Sequence, residues 1–150
     1  MSNEVSQQVL AMVSEIVRAM GLKLDASVEP LEDGLRVDLA GEDSGVLLRR
    51  KAEALDAIQH LVNTAYRRLL PGGHRVVIDC QNYRRQHDQE LREIARFLID
   101  KAKSTGAPQE LGPLNSYARR LVHLEVAAVE GVASESLGDG ALKLVVISPS

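Results

Sequence analysis

A single cysteine, no tryptophan and only four aromatic rings in 150 residues set the first limits on this chain. One thiol, Cys80, cannot form an internal disulfide, so the fold must be held by its core. With Tyr66, Tyr83, Phe97 and Tyr117 as the whole aromatic supply, rows of rings on which bases or sugars stack are not the main binding device. No apolar run approaches the roughly 18–20 residues that cross a bilayer. Glu15 and Arg18 interrupt the first apolar stripe, and nothing resembles a secretory leader, so the chain reads as cytoplasmic. His60, His74, His87 and Cys80 lack paired metal-ligand spacing. A Gly-x-Ser-x-Gly elbow and a Gly-x4-Gly-Lys phosphate loop are missing too. We therefore expect no enzyme, no cofactor and no metal.

An overall basic excess is also lacking, since the formal net charge is −3. That average hides an asymmetry. Residues 1–48 carry three basic and nine acidic side chains, net −6, whereas residues 49–150 carry fifteen and twelve, net +3. A polyanion would meet the later part of the chain.

The hydrophobic pattern gives the organisation. Val5, Val9, Met12, Val13, Ile16, Val17 and Met20 recur at helical steps and Gly21 stops them. From Leu22 the period becomes two, with strands expected at Leu22–Val28 and Leu35–Leu39 around the turn residues of Pro30–Gly34. Val46-Leu47-Leu48 forms a short helical piece, the basic step Arg49-Arg50-Lys51 interrupts it, and Leu55, Ile58, Leu61, Val62, Ala65 and Leu69 stripe a longer helix. Val76-Val77-Ile78 reads as a third strand ending near Cys80. Beyond it, Leu91, Ile94, Ala95, Leu98 and Ala102 mark a long helix, and a loop with Pro108 and Pro113 leads to a helix over 115–129 capped by Asn115. Two strands, near Val132–Ser136 and Ala141–Ile147, close the chain.

Arg119 and His123 stand four apart on the helix after Asn115 and so share one face, where a guanidinium and an imidazole offer convergent donors for phosphate oxygens. Taken alone, such a pair is common by chance and more often marks an ordinary solvated helix face. Around it stand Val76-Val77-Ile78-Asp79 followed by Tyr83-Arg84-Arg85, then Thr105-Gly106-x-Pro108, Leu114-Asn115-x-Tyr117-x-Arg119-Arg120-x-Val122-His123-Leu124, and Val145-Val146-Ile147-Ser148-Pro149. With these pieces the later half resembles the R-3-H domain, and residues 20–149 resemble the bacterial Jag family, also called SpoIIIJ-associated proteins.

The resemblance implies an α+β protein: a type II KH-like unit (αββααβ) over 1–80 and a small α/β R-3-H unit over 81–150 that binds single-stranded nucleic acid. It implies a post-transcriptional regulator or one of cell-envelope growth and division, with single-stranded RNA, or single-stranded DNA, as ligand. The contact residues it points to are Arg119 and His123, assisted by Arg120, Arg84, Arg85 and Lys143. Arg49-Arg50-Lys51-Ala52 occupies the place where the family's KH unit carries a Gly-x-x-Gly clamp, and no two of the eleven glycines stand three apart. Arg49, Arg50 and Lys51 either hold phosphate by charge or form an ordinary basic turn. In either case the later unit is expected to bind RNA; the alternative is an adaptor whose degenerate KH face pairs with itself or with another small KH protein without binding RNA.

Overall fold

The computed structural model describes residues 3–150, so the first two residues of the expected first domain lie outside the described residues. The fold is α+β, and its elements gather into two compact units, one ending at Arg84 and the other starting at Arg85.

In the first unit, α1 (Asn3–Ala19) buries Val9, Val13 and Val17, spaced four apart on one face. The strand that follows starts later than its alternation predicts. Leu22 and Leu24 pack against the core from the connecting segment, and β1 (Asp25–Leu31) begins only beyond them. It pairs antiparallel with β2 (Gly34–Ala40), leaving Glu32 and Asp33 as the hairpin loop. Glycine is required at position 34, because a Cβ there would lie 1.8 Å from the carbonyl oxygen of Arg75.

Helix α2 (Ser44–Tyr66) carries the chain across to β3 (Arg75–Cys80), which pairs parallel with β2. Parallel neighbours need such a crossover. The sheet order is β1-β2-β3, and Leu35, Val37, Leu39, Val76, Ile78 and Cys80 form its buried face with α1 and α2. At the open edge of β3, α2 supplies the missing partners. Asn63 accepts from the amide of Val76 at 2.9 Å and donates to its carbonyl at 2.8 Å, and Gln59 accepts from the amide of Ile78 at 2.9 Å.

Period-two reading assigns Arg36 to the polar face of β2, yet only 7% of it is exposed. As a residue of the central strand it is covered, and its charge is met by Asp79, by Asp38 at 3.2 Å and by Glu29 at 3.7 Å. Asp79, fully buried, also accepts from the amides of Cys80 and Arg84, each at 2.8 Å. This multiple pairing is what makes a buried ion pair tolerable.

The second unit takes most of α3 (Tyr83–Thr105), then β4 (Gln109–Leu114), α4 (Ser116–Ala127), β5 (Val132–Leu137) and β6 (Lys143–Pro149). Its antiparallel sheet has the order β4-β6-β5. The segment with Pro108 and Pro113, expected as loop, contains the edge strand β4. Gly112 and Pro113 fall at a break in its register with β6, and an edge strand tolerates proline's missing N–H donor. Leu91, Ala95, Ile99 and Ala102 of α3 meet Ala118, Val122 and Val126 of α4 over Val145 and Ile147 of β6.

Candidate nucleic-acid interface

Helix α4 starts where the sequence indicates. The Asn115 side chain accepts from the amide of Ala118 at 2.9 Å, satisfying one of the open donors of the first turn. Ala118, Val122 and Val126 then face the core, which fixes the rotation of the helix and puts its polar residues on two flanks. On the flank toward α3, Tyr117 donates to Asp88 at 2.5 Å, and Arg92 and Arg96 reach Glu125 at 3.6 and 3.2 Å.

On the other flank lie Arg119 and His123. Arg119 Nη1 donates to the carbonyls of Leu114 at 2.5 Å and Ala141 at 3.1 Å, so one nitrogen ties α4 to the end of β4 and to the approach to β6. The Nε and Nη2 hydrogens are the part of the fork left for a ligand. His123 Nδ1 lies 2.6 Å from Ser134 Oγ and Nε2 lies 2.8 Å from Ser136 Oγ. Partial burial, and secondarily the Arg119 charge, push this imidazole below its ordinary range. It is neutral near pH 7.

The sheet register explains the convergence. Ser134 pairs with Ile147 and Ser136 with Val145, so both hydroxyls occupy the face that α4 covers. Lys143 shares that face with Val145 and Ile147 by alternation along β6, and it pairs with Leu114, whose carbonyl Arg119 holds. Arg119, His123, Ser134, Ser136 and Lys143 are therefore brought to one side of the second unit. Sequence reasoning missed the two serines. Their signal was the alternation Val132, Ser134, Ser136, which identifies a strand face but not its neighbour.

The remaining expected residues lie elsewhere. Arg120 is a half-buried residue of α4 beside this flank, and Arg85 is exposed near the start of α3. Arg84 requires a correction. It is 4% exposed, donates from Nε to the carbonyl of Ile78 at 2.7 Å and pairs with Asp56 at 2.8 Å, so it is committed to the core of the first unit and is not a surface contact.

Arg49, Arg50 and Lys51 are exposed in the first unit, at a break inside α2. Arg49 is extended (φ −65°, ψ 151°), and Arg50, Lys51 and Ala52 are left-handed with φ of 52°, 57° and 60°. The side chain of Ala52 is fully buried. Next to the break, Val46, Arg49, Arg50, Glu53, Ala54 and Ala57 line an open depression of about 330 Å³.

Comparison with known proteins adds to this geometry. Residues 89–149 match the R-3-H domain. The matched segment contains Arg119, His123, Ser134, Ser136 and Lys143, whereas Arg84, Arg85 and the loop of residues 49–52 precede it. Over 146 residues the chain is 29% identical to the RNA-binding protein KhpB of Clostridium symbiosum, covering 96% of this chain and 66% of that protein. It is 28% identical over 145 residues to the RNA-binding protein KhpB of Bacillus subtilis, covering 95% and 69%. A protein of the same name from Streptococcus pneumoniae is 23% identical over 145 residues, which cover 44% of its length. The chain thus spans about two thirds of the first two relatives and less than half of the third.

Proposed function

We propose that this protein is a cytoplasmic, non-enzymatic binder of single-stranded RNA that holds the phosphate backbone through its R-3-H segment. The observation that carries the reading is the meeting of Arg119, His123 and Lys143 with two serine hydroxyls on one face of the second unit. The names of the similar proteins support RNA as the ligand. With four aromatics in the chain, contact runs to phosphate more than to base faces, so sequence preference is weak and salt dependence strong. The first unit is read as type II KH-like, from its helix-strand-strand-helix-helix-strand order with α2 counted as two pieces around residues 49–52. In this reading Arg49, Arg50 and Lys51 add long-range attraction without a backbone clamp.

The test is fluorescence anisotropy with a labelled oligouridylate at two salt concentrations, with single-stranded DNA of matched length alongside. Lys143→Ala leaves the carbonyl ties of Arg119 in place. It is expected to weaken binding and to reduce the slope of log affinity against log salt by about 0.7, the share of one phosphate in a single strand. Arg119→Ala/His123→Ala is expected to abolish most of the binding. Unchanged affinity and slope in both variants would overturn the assignment.

A second reading, association of the first unit with itself or with another small KH protein in place of RNA, is favoured by one observation. Exposed side chains stand at Arg50 and Lys51, where a bare backbone would have to approach phosphates. Association that survives nuclease in sedimentation, together with no anisotropy change, supports this second reading.

A further inference from the structure

Both ring nitrogens of His123 are already occupied by serine hydroxyls, at 2.6 and 2.8 Å. A neutral imidazole donates from one nitrogen and accepts at the other. One serine therefore gives its proton to the ring, and the other receives the ring proton and keeps its own hydroxyl proton to donate elsewhere. The two arrangements differ in where that spare proton lies. Ser134 is half-buried, whereas Ser136 is exposed at the far end of the edge strand β5. A spare donor is costly in a half-buried position and free in water. The favoured arrangement is thus Ser134 donating to Nδ1 and Nε2–H donating to Ser136. That leaves the Ser136 hydroxyl aimed away from the ring as an exposed donor.

Ser136 also neighbours the cations. It pairs with Val145, two residues along β6 from Lys143 on the same face, and its ring partner His123 is one turn along α4 from Arg119. We infer that Ser136 is a phosphate-contacting residue of this site, and that His123 acts on the phosphate through Ser136, as a positioning residue held by Ser134. The inference rests on the RNA-binding reading above and assigns its donor. The hydroxyl is neutral, so it adds direction to the attraction that Arg119 and Lys143 supply.

The test combines binding with a signature of the ring. Ser136→Ala is expected to weaken oligouridylate binding about ten-fold, the scale of a hydrogen bond to a charged acceptor, and Ser136→Thr, which keeps the hydroxyl, is expected to restore most of it. Long-range proton–nitrogen NMR spectra, with His123→Gln to assign the ring, are expected to show His123 as the Nε2–H tautomer near neutral pH. Ser134→Ala, which removes the hydroxyl donor to Nδ1, is expected to shift the ring toward a mixture of tautomers. Wild-type affinity in Ser136→Ala while Lys143→Ala weakens binding overturns this inference and leaves the RNA reading standing. An Nδ1–H tautomer in the wild type overturns it as well. Absence of RNA binding by the wild type removes both.

Discussion

The break in α2 gives a prediction with an alternating sign. Arg50, Lys51 and Ala52 hold left-handed backbone, which costs a residue with a Cβ ~1–2 kcal/mol, whereas Arg49 is extended and bears no such cost. Glycine relieves the left-handed cost but loses ~0.5–1 kcal/mol more backbone entropy on folding. At Arg50 and Lys51, whose side chains are exposed, the balance is a gain of roughly 0.5–1 kcal/mol each, or about 1–2 kcal/mol for Arg50→Gly/Lys51→Gly. At Arg49 the relief is absent, so Arg49→Gly destabilises by ~0.5–1 kcal/mol. Ala52→Gly gains backbone relief and gives up a fully buried methyl of ~0.8 kcal/mol, so it comes out at about zero or slightly negative. Amide hydrogen exchange is the assay suited to a chain of two units, because slow amides around Leu55–Val62 report the first unit alone. Slower exchange in the double variant, faster in Arg49→Gly and little change in Ala52→Gly is the expected pattern. Faster exchange in the double variant would refute the left-handed assignment.

Two further predictions concern Arg84 and His123. Arg84→Ala removes the ties to Ile78 and Asp56 from a site that is 4% exposed, so it is expected to lower unfolding stability by about 2–4 kcal/mol. Folded Arg84→Ala protein is expected to bind oligouridylate with unchanged affinity, and a weakened but fully folded variant would return Arg84 to the contact set. Because burial and then Arg119 lower the imidazole pKa of His123, the unfolded chain takes up this proton first as pH falls. The stabilisation is present above roughly pH 6.5 and is lost as pH drops from there through the folded-state value. Urea titrations at pH 7.5 and below pH 6 are expected to show that loss in the wild type and a smaller one in His123→Gln; equal losses would exclude His123 as the group responsible.

Much of the fold was legible because its periods are clean. Helix α1 (Asn3–Ala19) and the third strand follow from apolar spacing alone, and Gly34 marks the first hairpin turn and Asn115 the cap of α4 in the sequence. The errors fall where tertiary context outweighs local pattern. Two prolines near Gly112 argue for a loop, and only the presence of β6 alongside makes a strand of β4. Arg36 alternates like a surface residue, and only Asp79, 43 positions away, lets it be buried. A partner distant in sequence, Asp56, likewise shows why the pair Arg84-Arg85 divides into one core residue and one exposed residue.

The candidate site was half legible for a related reason. Arg119 and His123 are four apart on a single helix, so a local rule brings them together. Ser134 and Ser136 join them only through the register of β5 against β6, and Lys143 through its place on β6 beside Leu114; a one-residue shift of β5 would turn both serines away. Residues 49–52 illustrate the converse. The missing glycines were plain in the sequence, but their cost was not, because it depends on which of the four positions bends the backbone. Arg49 turns out to need no glycine, and Ala52 repays part of its strain through a buried methyl, which leaves Arg50 and Lys51 as the positions where charge is held against backbone preference. If that charge serves RNA, Arg50→Gly/Lys51→Gly should gain stability and lose affinity together, with a shallower salt slope. A variant that gains stability and keeps both affinity and slope would remove the first unit from the RNA contact and leave the second unit to hold it alone.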